Sequence, residues 1–425
     1  MKASRNPLRR LAAKLKDARA RHEERHRPTG FGFALGDRID YLDAAHWDAV
    51  VAGSSVLLSR RVLRVIETAG PANVSPRYAL VFAGARPVAA VVMQVVSIGG
   101  AQLRGTAAPP RSARTIPTIK RLLHPVVSAA ADGLQEKLLV AGNVMSWGCH
   151  GVAFAAGEDP ARLWPGVAEA IYRIRRAERL NGSADLVMVK DLTAADAGVE
   201  ALARFSYRPL PTEPNMVLAI DPGWNSHEDY LGALDSKNRK KVKDLAKKLG
   251  VAGCTTELLA GPVAAESARL HELYLAVQGN ATVRLVTLSP AFLPALADAL
   301  GENLRCTVIR RAGRIIGFVT TVRDGDTAIG YYIGFDREAA AEGLPIYLQL
   351  LHATVADAIH WKCRRLSLGR TALEPKAGLG ARAEPMSVWV RHRVPALNWL
   401  LRGLLSAVPH VEAPERNPFK GKPGW

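Results

Sequence analysis

The sequence predicts a mixed α/β protein built from two similar halves. Three observations carry this expectation. A chain of 425 residues, 48% of them apolar, is longer than one hydrophobic core usually spans. One order of elements (helices, antiparallel strands, a helix, a short apolar strand) runs through it twice. Between the two runs stand Asp221-Pro-Gly-Trp224 and a lysine-rich helical stretch. The predicted organisation is a basic amphipathic arm over 1–30, a first domain over 45–222, a basic linker helix within 223–252, a second domain over 253–392, and a C-terminal helix and tail over 393–425.

In the arm, Leu8, Leu11, Ala12 and Leu15 fall at helical spacing, and Pro28-Thr-Gly30 ends the segment. In the first half, helical spacing runs from Val56-Leu57-Leu58 to Val65-Ile66. Strands Tyr78 to Phe82 and Pro87 to Val96 follow, turned by Gly84-Ala-Arg86. Further strands are expected at Leu138 to Gly142 and Val152 to Phe154, then a helix from Arg162 to Leu180 and a strand from Leu186 to Val189. In the linker, Asp235-Ser236 caps a helix with apolar positions Val242, Leu245, Ala246 and Leu249, ended by Gly250. The second half repeats the order: helices near 262–277 and 289–300, strands Cys306 to Arg310, Ile315 to Val322 and Ala328 to Phe335, a helix from Leu344 to Trp361, and a strand from Leu366 to Leu368. The halves match at a shift of 227 residues early and 180 late, which places an insertion of 47 residues around 99–145. An apolar helix from Val394 to Val408 is expected near the end.

Charge narrows the partners. The formal net charge is +18, and residues 1–27 and 236–248 supply most of the excess. Lys237, Arg239, Lys240 and Lys241 lead the second run, which suits a polyanion such as nucleic acid, anionic lipid or a phosphate-bearing cofactor. The four cysteines (149, 254, 306 and 363) form no Cys-x-x-Cys pair, which argues against a disulfide framework or a structural zinc site and fits a reducing compartment. No apolar run reaches the roughly 18 residues of a spanning helix. The expectation is a cytoplasmic protein, at most peripheral to the inner face of a membrane, with no metal.

Chemistry concentrates in residues 365–385. The strand ends at Gly369; Arg370, Glu374 and Lys376 follow on a turn, and Gly378 and Gly380 come next. Charged side chains past the end of a buried strand, beside glycines that admit a ligand to the backbone, are a common way of building an α/β site. In the first half, Lys190-Asp191 closes the matching strand, and Asn143, Trp147 and His150 precede another; these are secondary candidates for binding substrate.

Three stretches carry a family resemblance. Trp47 with Leu57-Leu58-Ser59-Arg60-Arg61-Val62-Leu63 and Glu67 resembles the opening of the first domain of FemAB-like transferases and of the CelD/BcsL-like predicted acetyltransferases. Asp229-Tyr230-Leu231 with Leu234-Asp-Ser-Lys-Asn-Arg-Lys240 resembles their inter-domain segment. Leu368-Gly369-Arg370, Glu374-Pro-Lys376 and Gly378-Leu-Gly380 resemble their late strand and lysine turn. The resemblance spans about residues 45–392 and implies two tandem GNAT-like domains. It also implies transfer of an acyl or aminoacyl group to an amine, with Lys376 at the family's lysine position beside the reacting carbonyl. A cation there would stabilise the tetrahedral state. Glu374, Tyr331 and Tyr332 are candidates for removing the amine proton, and strand alternation predicts that only one of the two tyrosines faces the cleft.

The donor stays open at this stage. The Gln/Arg-x-x-Gly-x-Gly/Ala loop of CoA-binding GNAT domains is absent where the second half would place it, between Asp336 and Pro345. Its one match, Gln102 to Ala107, falls in the insertion. An acetyl- or acyl-CoA, an aminoacyl-tRNA and an acyl-carrier-protein thioester are all compatible, with a small-molecule or cell-envelope precursor amine as acceptor. The alternative is a non-catalytic adaptor that binds nucleic acid or anionic membrane through the two basic segments.

Overall fold

Apolar alternation on both faces of the strands makes this a three-layer protein. In the computed structural model, Tyr78 and Leu80 point into one helical layer, while Ala79 and Val81 point into the other. The structure describes residues 27–98, 136–148, 151–182, 184–259, 263–279, 285–398 and 414–421, with single positions between 13 and 23. The expected 99–145 insertion therefore lies largely outside the described residues, as does most of the helix expected over Val394 to Val408. The described positions within the arm, from 13 to 23, are helical and exposed.

The first half runs β1 (Gly32–Gly36), α1 (Ala44–Val51), α2 (Arg60–Ala69), β2 (Val74–Ala83), β3 (Arg86–Ile98), β4 (Glu136–Ala141), β5 (Val152–Phe154), α3 (Pro160–Ala177), β6 (Ala184–Leu192) and β7 (Arg208–Ala219). Then come α4 (His227–Ala233) and α5 (Ser236–Val251). The second half runs β8 (Cys254–Leu258), α6 (Ser267–Gln278), α7 (Phe292–Leu300), β9 (Leu304–Arg311), β10 (Arg314–Asp324), β11 (Thr327–Phe335), α8 (Arg337–Ala341), α9 (Ile346–His360), β12 (Arg365–Ser367), α10 (Leu373–Gly378) and β13 (Arg382–His392). The mixed α/β class and the repeated order are those the sequence predicts.

Among the described residues the strands form one sheet, ordered β1-β2-β3-β4-β6-β13-β7-β12-β11-β10-β9-β8, with β5 paired to β3 off this path. The order reads alike from both ends. Each half contributes an antiparallel run closed by a parallel pair, β4 with β6 and β11 with β12. The final strands are exchanged: β7 pairs with β12 of the second half, and β13 with β6 of the first, and they also pair with each other. β7 carries Pro209, Pro211 and Pro214, and no strand is expected there from the sequence. Its pairing with β12 begins only at Val217, so over 208–214 it has β13 alone beside it, a one-sided position that tolerates proline.

The halves also share a core. Leu63 and Ile66 of α2 belong to the same apolar cluster as Phe292, Leu293 and Leu296 of α7. Asp324 locks this seam from β10, accepting from Ser55 Oγ at 2.7 Å and from the Val56 N–H at 2.6 Å. On the opposite face, α3 covers β2–β4 and β6, while α9 covers β9–β11. The helix α5 begins as predicted, with the Asp235 carboxylate accepting from the Asn238 N–H at 2.7 Å. Among the described residues, no helix is long and apolar enough to cross a membrane.

Candidate active site

Parallel strands that part company leave a cleft, and β11 and β12 do so early. They pair only through Thr327–Ile329 and Arg365–Ser367. β11 then continues to Phe335, while the other chain turns away at Gly369 with φ +78°. The opening is a cavity of about 630 Å³. β11 supplies Tyr331, Tyr332 and Ile333, α9 supplies Tyr347, Leu351 and Thr354, and the turn after β12 supplies Gly369, Arg370, Thr371, Ala372, Pro375 and Lys376. Val277 of α6 and Val319 of β10 add to the lining, and Val144 to Trp147, a loop of the first half, form a further wall.

Both tyrosines line this cavity, which corrects the expectation that only one would. Val319 pairs with Ile333 and Thr321 with Gly330, so Tyr331 and Tyr332 together oppose the single residue Thr320. This β-bulge breaks the two-residue alternation. Thr320 Oγ1 secures it by accepting the Tyr332 N–H at 3.0 Å. The rings meet edge to face at 4.7 Å, and the Tyr332 hydroxyl donates to the Met145 carbonyl at 2.7 Å. Burial raises both phenol pKa values, so neither tyrosine is poised as a base.

Lys376 reaches the cavity from α10. It is 3% exposed, and desolvation of its ammonium lowers its pKa to about 7. Among the described residues no carboxylate or hydrogen-bond acceptor is paired with its Nζ. Glu374 is placed differently from the sequence expectation. Two positions apart on a helix is a rotation of about 200°, so Glu374 faces outward, where it pairs with Arg416. It does not line the cavity.

Of the first-half candidates, Lys190, Asp191 and Asn143 stand behind the cavity wall and do not line it. Asp191 is fully buried at φ +54°, a left-handed conformation uncommon outside glycine. Its carboxylate receives Arg370 Nη1 at 3.0 Å, the Gly148 N–H at 3.0 Å and the Lys190 ammonium. Lys190 Nζ also donates to the Ser146 carbonyl at 2.7 Å. Its stem lies against Gly142, where an added Cβ would come within 2.8 Å of Lys190 Cβ. In the first half, then, the space past β6 is filled by a lysine that fastens the loop. Asn143 is buried and accepts the Met145 N–H at 3.0 Å, while Gln94 accepts the Val144 N–H at 2.8 Å.

Trp147 lines the site together with Val144, Met145 and Ser146 of this loop, and it alone of the sequence candidates in the first half does so among the described residues. Its Nε1–H donates to Ser367 Oγ at 2.8 Å, and Ser367 donates to Asn215 Oδ1 at 3.1 Å. Asn215 Oδ1 also takes the Gly369 N–H at 3.0 Å. A Cβ on Gly369 would lie 3.2 Å from the indole, so glycine lets the tryptophan seat there. Gly378 and Gly380, by contrast, do not border the cavity. The second makes room for Phe419, 2.2 Å from where its Cβ would be, a packing role in place of the ligand approach expected. His150 lies outside the described residues. On α5, Lys237, Lys240 and Lys241 are exposed, whereas Arg239 turns inward and donates to the Leu234 carbonyl at 3.0 Å.

Asn215, Ser367, Tyr347 and Thr354 were missed in the sequence. Asn215 stands in a proline-rich stretch where no strand is expected, and the other three sit in apolar runs without local distinction. Among the described residues, no group of three or more His, Cys, Asp or Glu is placed to hold a metal ion.

Residues 236–377 match the family described as the Acetyltransferase (GNAT) domain, which covers α5 through most of α10. No curated protein matches the chain. Among solved structures, FemX is similar at 12% identity over 85% of this chain and 98% of its own, with a TM-score of 0.48. A tandem GNAT protein from the clavulanic acid biosynthesis pathway is similar at 13% identity over 86% and 99%, with a TM-score of 0.48. A GCN5-related N-acetyltransferase from Sphaerobacter thermophilus is similar at 12% identity over 87% and 97%, with a TM-score of 0.40.

Proposed function

We propose that this chain, which carries a GNAT acetyltransferase domain over residues 236–377, is an N-acyltransferase whose reacting centre is the cavity between β11, α9 and α10. The observation that carries this reading is Lys376: a buried ammonium without a counter-ion among the described residues, at the edge of a cavity lined mostly by apolar and aromatic groups. Such a group costs stability, and a fold retains it where a developing negative charge will meet it. An adaptor that binds through its exposed lysines has no use for it.

In the reaction, the acceptor amine forms a C–N bond to the donor carbonyl while the carbonyl π pair moves onto oxygen. Lys376 stands as the cation for that oxyanion. Tyr331, whose hydroxyl has no partner among the described residues, is a second donor. Collapse expels the thiolate or alkoxide, and the proton lost by nitrogen passes to this leaving group. With Glu374 outside the cavity and the phenols held neutral, the chain itself supplies positioning and electrostatics more than a base.

The donor is an activated acyl ester or thioester. Its phosphates suit the start of α9, where Pro345 offers no side-chain cap and the Lys248 ammonium lies 3.4 Å from where a Cβ on Gly343 would be. An acidic carrier would find Lys237, Lys240 and Lys241 on the adjoining helix. The test is thiol release from short acyl-CoA donors with a panel of primary amines. Lys376→Met should lose at least 100-fold in kcat with a folded near-ultraviolet spectrum. Full activity in that variant would remove the assignment.

A further inference from the structure

The cavity has an uneven chemistry. Trp147, Tyr347, Val319 and Leu351 are typical of its walls, and its charged groups are Arg370 and Lys376, both cations. Among the described residues no Asp or Glu lines it. Asp191, fully buried, is taken up by Arg370, Lys190 and the Gly148 amide, and Glu374 is held outside by Arg416. Its volume of about 630 Å³ is that of a site for a whole small molecule, with room for a chain of several carbons beyond the reacting carbonyl.

Building on the reading of this cavity as the acyl-transfer centre, we propose that it selects an apolar acyl group, aliphatic or aryl, that is uncharged or anionic, and that it rejects acyl groups bearing a free ammonium. An aminoacyl group would bring its α-ammonium into a space that already holds two cations and, among the described residues, offers no carboxylate to receive it. A hydrocarbon or aryl group meets dispersion contacts with the aromatic and aliphatic side chains of the walls instead. An anionic substituent would find Lys376, with Arg370 beside it held by Asp191. The same positive field favours the neutral form of the incoming amine, which is the nucleophilic one. Selectivity of this kind resides in a repulsive element as much as in an attractive one.

Three eight-carbon probes isolate the effect: octanoate, 1-octanol and octylammonium, titrated calorimetrically into the full chain at 0.15 M salt, with acetate reporting how much binding the basic surface gives any small anion. Octanoate should bind at least tenfold more tightly than octylammonium, 1-octanol should lie between them, and acetate should give no measurable heat. Val277 is half-buried on the cavity wall, and Val277→Trp should weaken octanoate and 1-octanol alike by filling it. Lys376→Met should narrow the gap between octanoate and octylammonium while keeping 1-octanol binding, which also shows that the variant is folded. Octylammonium binding as tightly as octanoate, or octanoate binding untouched by both substitutions, would overturn the proposal. Because binding is read without turnover, a chain that discriminates the probes but transfers nothing refutes the transferase reading alone. One that transfers from aminoacyl donors and ignores octanoate refutes the selectivity alone.

Discussion

Arg370 of the second half meets Asp191 of the first at 3.0 Å, and this pair fixes the wall of the cavity to its floor. Asp191 shares its carboxylate with Lys190 and with the backbone N–H of Gly148, so three parts of the chain converge on one buried acid. Breaking a buried pair from one side strands the remaining charges. Asp191→Asn should therefore cost about 3–5 kcal/mol in chemical denaturation. The same variant should raise the KM for substrate through displacement of Trp147. A loss below about 1 kcal/mol would mean that the pair does not hold the halves together.

Lys376→Met should have the opposite effect on stability. The folded-state pKa of about 7 lies below the unfolded value, so the unfolded chain binds the extra proton between them. The cost of the charged lysine is absent above the unfolded pKa, grows as pH falls, and is complete below about 7. At pH 7 the methionine variant should be more stable than the parent by up to about 4 kcal/mol, and the gap should shrink towards pH 10. Melting curves at both pH values check this. A destabilised variant would mark Lys376 as an ordinary packing residue.

The rate should carry the same titration. If the ammonium stabilises the oxyanion, kcat must fall as pH rises through about 7, after correction for the ionisation of the acceptor amine. Single-turnover rates with a saturating acceptor give the profile directly. A rate that climbs over the same interval would assign proton abstraction to this lysine instead.

Gly369→Ala probes the seat of Trp147. At φ +78° an alanine is strained by about 1–2 kcal/mol, and its Cβ would press on an indole 3.2 Å away. A loss of stability of that order, together with altered tryptophan emission, is the expected result. An unperturbed spectrum would show that the ring does not rest on this glycine.

Much of the scaffold was legible in the sequence because its elements are locally encoded. Both faces of β3 and β10 are buried, so they read as continuous apolar runs, and the Asp235 cap announces α5. Lys376 was legible as a residue of interest from its setting: a cation on a turn just past a buried strand. Glu374 looked equivalent at a separation of two, and only the helical geometry of α10 sends it to the opposite side. The edge strands β1 and β8 were missed because they are short and half exposed. β7 was missed because proline hides a strand wherever the reader assumes a neighbour on each side.

What the sequence determined by itself is the repeated succession of elements, the caps and turns that bound them, and the placing of a lysine after the last short strand. These depend on periodicity and on residues a few positions apart. Tertiary structure alone decided that β7 and β13 change places between the halves, that a bulge opposite Thr320 turns two tyrosines into one cavity, and that a tryptophan from the first half walls the site of the second. Each of these depends on groups more than a hundred residues apart, or on a ladder register fixed only when strands meet, and no local pattern of polarity records which distant strand will become the neighbour.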